Sequence, residues 1–392
     1  MAYKYDVCVV GGLGHIGLPL GIVFASKGLK VCLQDINAES AKIVSNGLLP
    51  FVEYEAEPLL KESLGNGNLE ISLDPESISQ AKNIIIAIGT PVDEYMNSKT
   101  RQFLEFISDL KQHLNPDQLI IIRSSIAPNA CEQIKRTLGE DKSWKLSYCP
   151  ERIVQGYAIQ ELKKLPQIVA GYSDDAVKEA SDLFNKISSS IIVTSIKEAE
   201  LAKLFANSWR YIQFAIANQF FMICEDQDVD YDNVRKAMVE GYERAAQLPS
   251  AGFAAGPCLL KDTMQISSFY QGGFHLGHSA MMINEGLPNF IVNQMKSKYT
   301  LKNRRVGILG MAFKANVDDI RDSLSFRLSK ILKFSGANVM CSDEFAVNSD
   351  FVSKDDIISK CETVIIAAPH SAYSEIHYPD HIDLIDIWKI SQ

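Results

Sequence analysis

The 392-residue chain lacks any apolar run long enough to span a bilayer, which argues against a helical membrane protein. Positive charge is in deficit. Against 48 Asp and Glu stand 39 Lys and Arg, a formal net charge of -9, so no broad basic field is available for nucleic acid. An anionic ligand would have to meet locally placed Lys and Arg. Cysteine pairs are missing as well: the eight cysteines (8, 32, 131, 149, 224, 258, 341, 361) include no Cys-x-x-Cys and no clustering with histidine. That speaks against a zinc site or a disulfide framework and for a reducing compartment, and no metal is expected. Repeats and low-complexity tracts are absent, and Met-Ala-Tyr-Lys-Tyr-Asp runs straight into a strand, so no signal peptide is expected. A soluble cytoplasmic protein without membrane or nucleic-acid partners follows. Its 46% apolar content is enough for the cores of two or three domains of ~150 residues each.

What is present begins with an apolar, β-branched run, Tyr5 to Val10, that predicts a buried parallel strand. Gly12-Leu-Gly14-His-Ile-Gly17 follows at once, then a helical pattern to Gly28 and a second strand, Val31 to Gln34, ending at Asp35. This is the context a dinucleotide fingerprint requires. Gly12 makes the tight turn, Gly14 lets the backbone approach a pyrophosphate, and Gly17 lets helix pack on strand. Asp35 is placed for a ribose 2′-hydroxyl and repels a 2′-phosphate, so NAD is expected over NADP. Further strands are predicted at 84–88, 119–122, 145–148, 167–171 and 191–194. Their ends deliver Thr90, Ser125 and Glu151 to the side of the sheet where open α/β folds bind ligands.

From Lys197 to Cys224 there is neither Gly nor Pro, and apolar residues recur with helical spacing. At ~1.5 Å per residue this helix spans roughly 40 Å, enough to bridge two domains. Lys203 and Asn207 share one of its faces. Lys203 is open to two readings, a snorkelling surface lysine or a functional cation. After a basic linker, Lys302-Asn-Arg-Arg305, a second α/β unit runs through strands at 306–309, 338–341 and 363–367 without a second glycine fingerprint. The expected architecture is α/β: two Rossmann-like doubly wound domains, 1–195 and 301–392, joined by a helical domain, 196–300.

Gly252-Phe-Ala-Ala-Gly-Pro-Cys258-Leu-Leu-Lys261-Asp262 carries the chemistry. Gly252 and Gly256 permit unusual backbone conformations, and Pro257 stiffens the approach to a single thiol. A cation one turn away favours the thiolate, and a carboxylate beside it can accept or return a proton. The same segment is also compatible with an ordinary buried core cysteine.

Taken together, Gly12-Leu-Gly-His-Ile-Gly17, Gly89-Thr-Pro91, Pro150-Glu-Arg152, Glu200-Leu-Ala-Lys203 with Asn207, Gly256-Pro-Cys-Leu-Leu-Lys-Asp262 and Gly310-Met-Ala-Phe-Lys-Ala-Asn-Val-Asp-Asp-Ile-Arg321 resemble the nucleotide-sugar 6-dehydrogenases. This is the UDP-glucose/GDP-mannose dehydrogenase family, and the resemblance covers nearly the whole chain. It implies NAD-dependent oxidation of a sugar C6 alcohol to a carboxylate in two steps, for surface polysaccharide precursors. Cys258 would form a thiohemiacetal and then a thioester, with Asp262 near the thiol, Lys203 and Asn207 on oxyanions, and Glu151 and Ser125 on water. His15, Ile16, Thr90 and Arg321 would join the glycines and Asp35 at the cofactor. Lys314, Arg152, Gln155, Phe253 and Gly256 would take the nucleotide sugar. Arg244 would reach the substrate of a neighbouring subunit, implying at least a homodimer.

Several positions depart from the family pattern. UDP-glucose enzymes usually carry Glu where this chain has Gln155, and Pro150-Glu-Arg-Ile-Val-Gln-Gly156 looks more like the branch acting on UDP-N-acetylhexosamines. Gly-Pro-Cys replaces the usual Gly-Gly-x-Cys, and Met281 replaces an arginine common before the Asn at 284. UDP-glucose oxidation, two-electron oxidation without a covalent intermediate and simple nucleotide-sugar or NAD binding are the competing functions. NADH formed per substrate separates the four-electron, two-electron and binding-only readings.

Overall fold

Twelve strands form two separate sheets in the computed structural model, which describes residues 3–90, 92, 93, 98–139 and 143–391. Pro91 of the Gly89-Thr-Pro motif lies outside the described residues. The chain divides into two compact units, Met1–Phe205 and Ala206–Gln392.

In the first unit β1 (Tyr5–Val10), β2 (Val31–Gln34), β3 (Leu69–Ser72), β4 (Ala81–Ile86), β5 (Leu119–Ile122), β6 (Lys145–Tyr148), β7 (Gln167–Gly171) and β8 (Ile191–Val193) lie in the order β3-β2-β1-β4-β5-β6-β7-β8. All neighbours are parallel except β6 and β7, which pair antiparallel at Ser147↔Gly171 and Tyr148↔Ala170. Helices cover both faces, which is why the central strands are apolar along most of their length and β5 is apolar at every position. Val7, Val9, Leu33, Ile85 and Ile121 face one core; Cys8, Val10, Cys32, Ile84, Ile86, Ile120 and Ile122 face the other. The strand order reverses between β1 and β4, so their carboxyl ends open the crevice where such sheets bind ligands.

The long helix runs Ile196–Asp226, within two residues of the expected span at either end. In the second unit its later turns, the helix His275–Lys298 and a parallel sheet share one core. That sheet has the order β10-β9-β11-β12, formed by β9 (Arg305–Leu309), β10 (Asn338–Ser342), β11 (Thr363–Ile366) and β12 (Asp383–Asp386). Ala217, Phe221, Ile291, Val292 and Met295 pack with Val306, Ile308, Leu328 and Ile365 in that core. Pro288 sits inside His275–Lys298, one turn after the buried Asn284. The Asn284 amide donates to the Tyr211 carbonyl at 3.0 Å and accepts from Asn218 at 2.9 Å. No helix among the described residues is long and apolar enough to cross a membrane.

Candidate active site

The glycine loop leaves β1 through Gly11, which takes the left-handed φ of +78°. The turn therefore bends one residue before the first motif glycine, and Gly12 is needed for a steric reason. A Cβ at Gly12 would lie 2.8 Å from Val9 O and from Leu33 Cα, and one at Gly17 2.2 Å from Gly11 O. Gly14 is exposed, with nothing closer than 3.7 Å to such a Cβ, so its backbone is open to close approach. The helix Gly17–Ser26 starts at Ile16 with no side-chain cap and no acid in its first turn, which suits a phosphate. His15 stacks on Phe51 with ring centroids 4.0 Å apart.

Asp35 stands at the end of β2 and braces this loop. Its Oδ2 accepts from Leu13 N–H at 2.9 Å, and its Oδ1 from the amides of Ile36 and Asn37 at 2.8 and 3.1 Å. Across the crevice, the Thr90 hydroxyl donates to the Ser125 carbonyl at 2.6 Å and so ties the end of β4 to that of β5. An open Gly14, an uncapped helix start and an acid at the end of β2 fit a dinucleotide.

Glu151, 5% exposed, is locked by a residue that sequence reasoning passed over. Arg123 Nη2 pairs with Glu151 Oε2 and also donates to Gln167 Oε1 at 2.8 Å, while its Nη1 donates to the Cys149 carbonyl at 2.8 Å. The guanidinium lies 4.8 Å from the centre of the Phe184 ring. Glu151 Oε1 takes the amides of Arg152 and Ile153 at 2.7 and 3.1 Å. Burying this charge is tolerable because each carboxylate oxygen is paired. Arg152 donates to the Pro166 carbonyl. Gln155, half-buried, precedes Gly156 at φ +84°. That turn is held by the buried Glu53, which accepts Gly156 N–H at 3.1 Å and Ile159 N–H at 3.3 Å.

Lys203 is 7% exposed, so it is a buried cation and not a snorkelling one. One turn before it, Glu200 accepts the amides of Asn129 and Cys131 at 2.8 and 2.9 Å and fixes that face of the helix.

In the second unit, Cys258 is the N-cap residue of the helix Leu259–Phe269 and is exposed. The core-cysteine reading describes the other thiols: Cys8, Cys32, Cys131, Cys149, Cys224 and Cys361 are buried and Cys341 is half-buried. Burial pushes the Cys149 thiol up to about 12 and that of Cys361 to about 11. Cys258 instead stands exposed at the start of a helix. One turn on, Asp262 is 0% exposed. Its Oδ2 accepts from Asn207 Nδ2 at 2.6 Å, and Lys261 Nζ lies 3.7 Å from Oδ1. That Oδ1 makes no hydrogen bond among the described residues, so one buried lone-pair edge of the carboxylate remains open to a proton.

The Cys turn is held from two sides. Asn218 donates to the Gly252 carbonyl at 3.0 Å and accepts the Gly252 amide at 2.8 Å, and a Cβ at Gly252 would strike the Trp388 ring at 2.4 Å. Gly256, at φ +98°, donates to the Asp322 carbonyl at 3.3 Å, and its missing Cβ makes room for the Phe313 ring. Phe253 is buried in the same core. The loop behind it carries the half-buried Lys314 and the exposed Arg321. Arg321 forks onto Asp319 at 2.6 to 3.1 Å and interacts electrostatically with Cys258. Arg244 lies exposed on the short turn Glu243–Ala245 and, among the described residues, joins none of these groups. Asn218, like Arg123, had no motif to announce it; its partner Gly252 is 34 residues away.

A dinucleotide crevice in one unit and, in the other, an exposed thiol one helical turn from a buried acid suit an NAD-dependent dehydrogenase. The chain belongs to the UDP-glucose/GDP-mannose dehydrogenase family: its NAD binding domain matches residues 5–188, its central domain 197–285 and its UDP binding domain 307–389. A UDP-N-acetyl-D-mannosamine dehydrogenase of Methanocaldococcus jannaschii is 29% identical over 95% of this chain and 88% of its own. The structure of the UDP-D-ManNAc dehydrogenase from Pyrococcus horikoshii superposes with a TM-score of 0.91 at 26% identity, covering 98% of this chain and 96% of that one. A UDP-glucose dehydrogenase from Pyrobaculum islandicum fits nearly as well, with a TM-score of 0.90 at 23% identity over 98% and 94% of the two chains. The shared fold alone therefore does not select the sugar.

Proposed function

We propose that this enzyme oxidises the C6 hydroxyl of a UDP-N-acetylhexosamine to the uronic acid, in the cytoplasm, as a precursor of surface polysaccharide. In this reading residues 1–195 hold NAD, 196–300 carry the Cys turn and a dimer contact, and 301–392 hold the nucleotide. The observation that carries it is the exposed Cys258 at a helix start, one turn from the buried Asp262. NAD, when bound at the glycine loop, supplies the two-electron acceptor for each oxidation.

The first oxidation turns the alcohol into an aldehyde. The Cys258 thiolate then adds to C6, forming a C–S bond and placing the negative charge on oxygen, where Lys203 and Asn207 stabilise it. A second two-electron oxidation leaves a thioester. Water breaks the C–S bond to release the carboxylate and the thiol. Asp262 accepts and returns protons, and Glu151, held ready by Arg123, orients water together with Ser125. Arg152, Gln155, Phe253, Gly256 and Lys314 take the nucleotide sugar, and Arg244 acts on a neighbouring subunit's substrate.

The N-acetyl sugar is favoured by the names of the relatives and by Gln155, whose amide can donate to an acetamido carbonyl as a carboxylate cannot. Among the configurations, the relatives favour manno. A dimer is favoured by Trp209, Ile216, Phe220 and Ile223, exposed apolar side chains along one face of the long helix. The test is NADH formed per sugar consumed, across UDP-GlcNAc, UDP-GalNAc, UDP-ManNAc, UDP-glucose and GDP-mannose. Two NADH with an N-acetylated sugar in front support the reading, and one NADH or a lead for UDP-glucose or GDP-mannose defeats it. Cys258→Ala should form no uronate.

A further inference from the structure

Among the buried polar groups to which the mechanism gives no role, Asp343 and His370 stand out. Both side chains are 0% exposed, and they face each other, His370 Nε2 to Asp343 Oδ2, at 3.2 Å. Burying an acid beside an imidazole is costly unless the polar atoms are paired. Here the partners are backbone amides of the loop after β9 and of the turn after β10. Asp343, the residue after β10, accepts Met311 N–H at 2.6 Å and Ala312 N–H at 2.8 Å on Oδ2, and Phe345 and Ala346 N–H at 2.9 and 2.8 Å on Oδ1. Burial alone would raise its pKa, but the hydrogen bond from His370 and the amides of Ala346 and Phe345 outweigh burial and hold it below the usual carboxylate range.

His370 accepts Asn316 N–H on Nδ1 at 2.8 Å, which assigns the ring proton to Nε2 and directs it at Asp343. The ring is wedged between Phe345 and Tyr373, with centroids 5.0 and 5.3 Å away. Asn316 has a left-handed φ of +55°, and its Oδ1 takes both the amide and the hydroxyl of Ser371, at 2.9 and 3.2 Å.

The loop is thus tied at 311–312 by Asp343, at 316 by His370 and Ser371, and at 322 by Gly256 of the Cys turn. Lys314 stands between the first two ties. We infer that Asp343, His370 and Asn316 are positioning residues: they hold the backbone that presents Lys314 to the nucleotide sugar. The inference rests on the reading of Lys314 as a contact to that substrate. A side chain held on a fixed backbone gives up little freedom on binding, and a misplacement of the order of 1 Å is enough to lose affinity.

The experiment measures UDP binding by calorimetry, without turnover, together with KM for the UDP-sugar, KM for NAD and kcat. His370→Leu removes both ring nitrogens at similar bulk. His370→Asn returns an acceptor near the place of Nδ1. Asn316→Gly accepts the backbone conformation but loses the tie to Ser371. His370→Leu and Asn316→Gly should each weaken UDP binding and raise the sugar KM by about tenfold or more, with KM for NAD within about twofold, and His370→Asn should recover part of the loss. Added to Lys314→Ala, His370→Leu should cost much less than it does alone, because both act through one contact. Unchanged UDP affinity in folded His370→Leu and Asn316→Gly, or losses that multiply in the double variant, overturn the inference. If His370→Leu does not fold, Asn316→Gly and His370→Asn decide it. Wild-type protein that fails to bind UDP overturns the underlying reading as well. Wild-type protein that binds UDP yet oxidises no UDP-sugar defeats the proposed function alone.

Discussion

Replacing Asp262 with asparagine separates the chemical part of the carboxylate from its structural part. Asp262 is fully enclosed and takes a 2.6 Å hydrogen bond from Asn207. Asparagine keeps the volume but loses the charge, and it turns a strong ionic hydrogen bond into a neutral one with its amide oxygen facing Asn207. The loss for a buried charge-assisted bond is about 1–3 kcal/mol. For a protein of this size that corresponds to a fall in Tm of roughly 1–4 °C. Removal of a general acid–base group should cost kcat about 10²- to 10⁴-fold. The exchange variant Asn207→Asp with Asp262→Asn rebuilds the same pair in the opposite sense. Scanning calorimetry should find most of the lost Tm restored, while steady-state NADH formation stays at least about a hundredfold below wild type. If the single variant keeps wild-type kcat, or the exchange restores activity together with stability, Asp262 is a structural partner of Asn207 and no proton carrier.

Thiol reactivity should follow the same division. Iodoacetamide at pH 7.5 should label Cys258 in the native protein and leave Cys149 and Cys361 unlabelled by mass spectrometry, since burial keeps their pKa values near 12 and 11 and both stay protonated far above that pH. Asp35→Ala should raise KM for NAD by about tenfold and narrow its preference over NADP in kcat/KM, because the brace on Leu13 and the repulsion of a 2′-phosphate are lost together. Gly256→Ala should cost about 2–4 kcal/mol in a denaturant titration, since its Cβ falls 2.5 Å from the Phe313 ring at a φ of +98°. Trp209→Glu with Phe220→Glu should shift the protein to a smaller species by light scattering, and a wild-type monomer with full activity would remove the case for a dimer.

The parts of the fold that were legible in the sequence are those carried by continuous apolar patterns. β1, β2, β5, β6 and β7 lie at their expected positions, and the long helix differs by one or two residues at its ends. β3 and β12 were not foreseen. They are short edge strands with exposed or half-exposed positions, and they lack the apolar run that marks a strand covered on both faces. The glycine loop was legible as a motif, but the residue that bends it, Gly11, was not, because turn geometry depends on how close β4 passes. The Cys turn was visible and its supports were not. Asn207 meets Asp262 across 55 residues, Asn218 meets Gly252 across 34, and Arg123 meets Glu151 across 28. Such pairs follow no local period; only the packing of their elements brings them together.

Asp343 also bears on why two similar strand–turn–helix units in one chain do not compete for the same ligand. In the first, the aspartate after the second strand holds a single amide of the glycine loop, Leu13, and the exposed Gly14 is left for a phosphate. In the second, the aspartate after β10 already occupies the two leading amides of the loop, Met311 and Ala312. The protein thus carries its own tethered anion on the amides that lead into the second loop. A dinucleotide arriving there would have to displace a carboxylate that pays no entropy of association. What the second loop can still offer a nucleotide is its side chains, Lys314 among them.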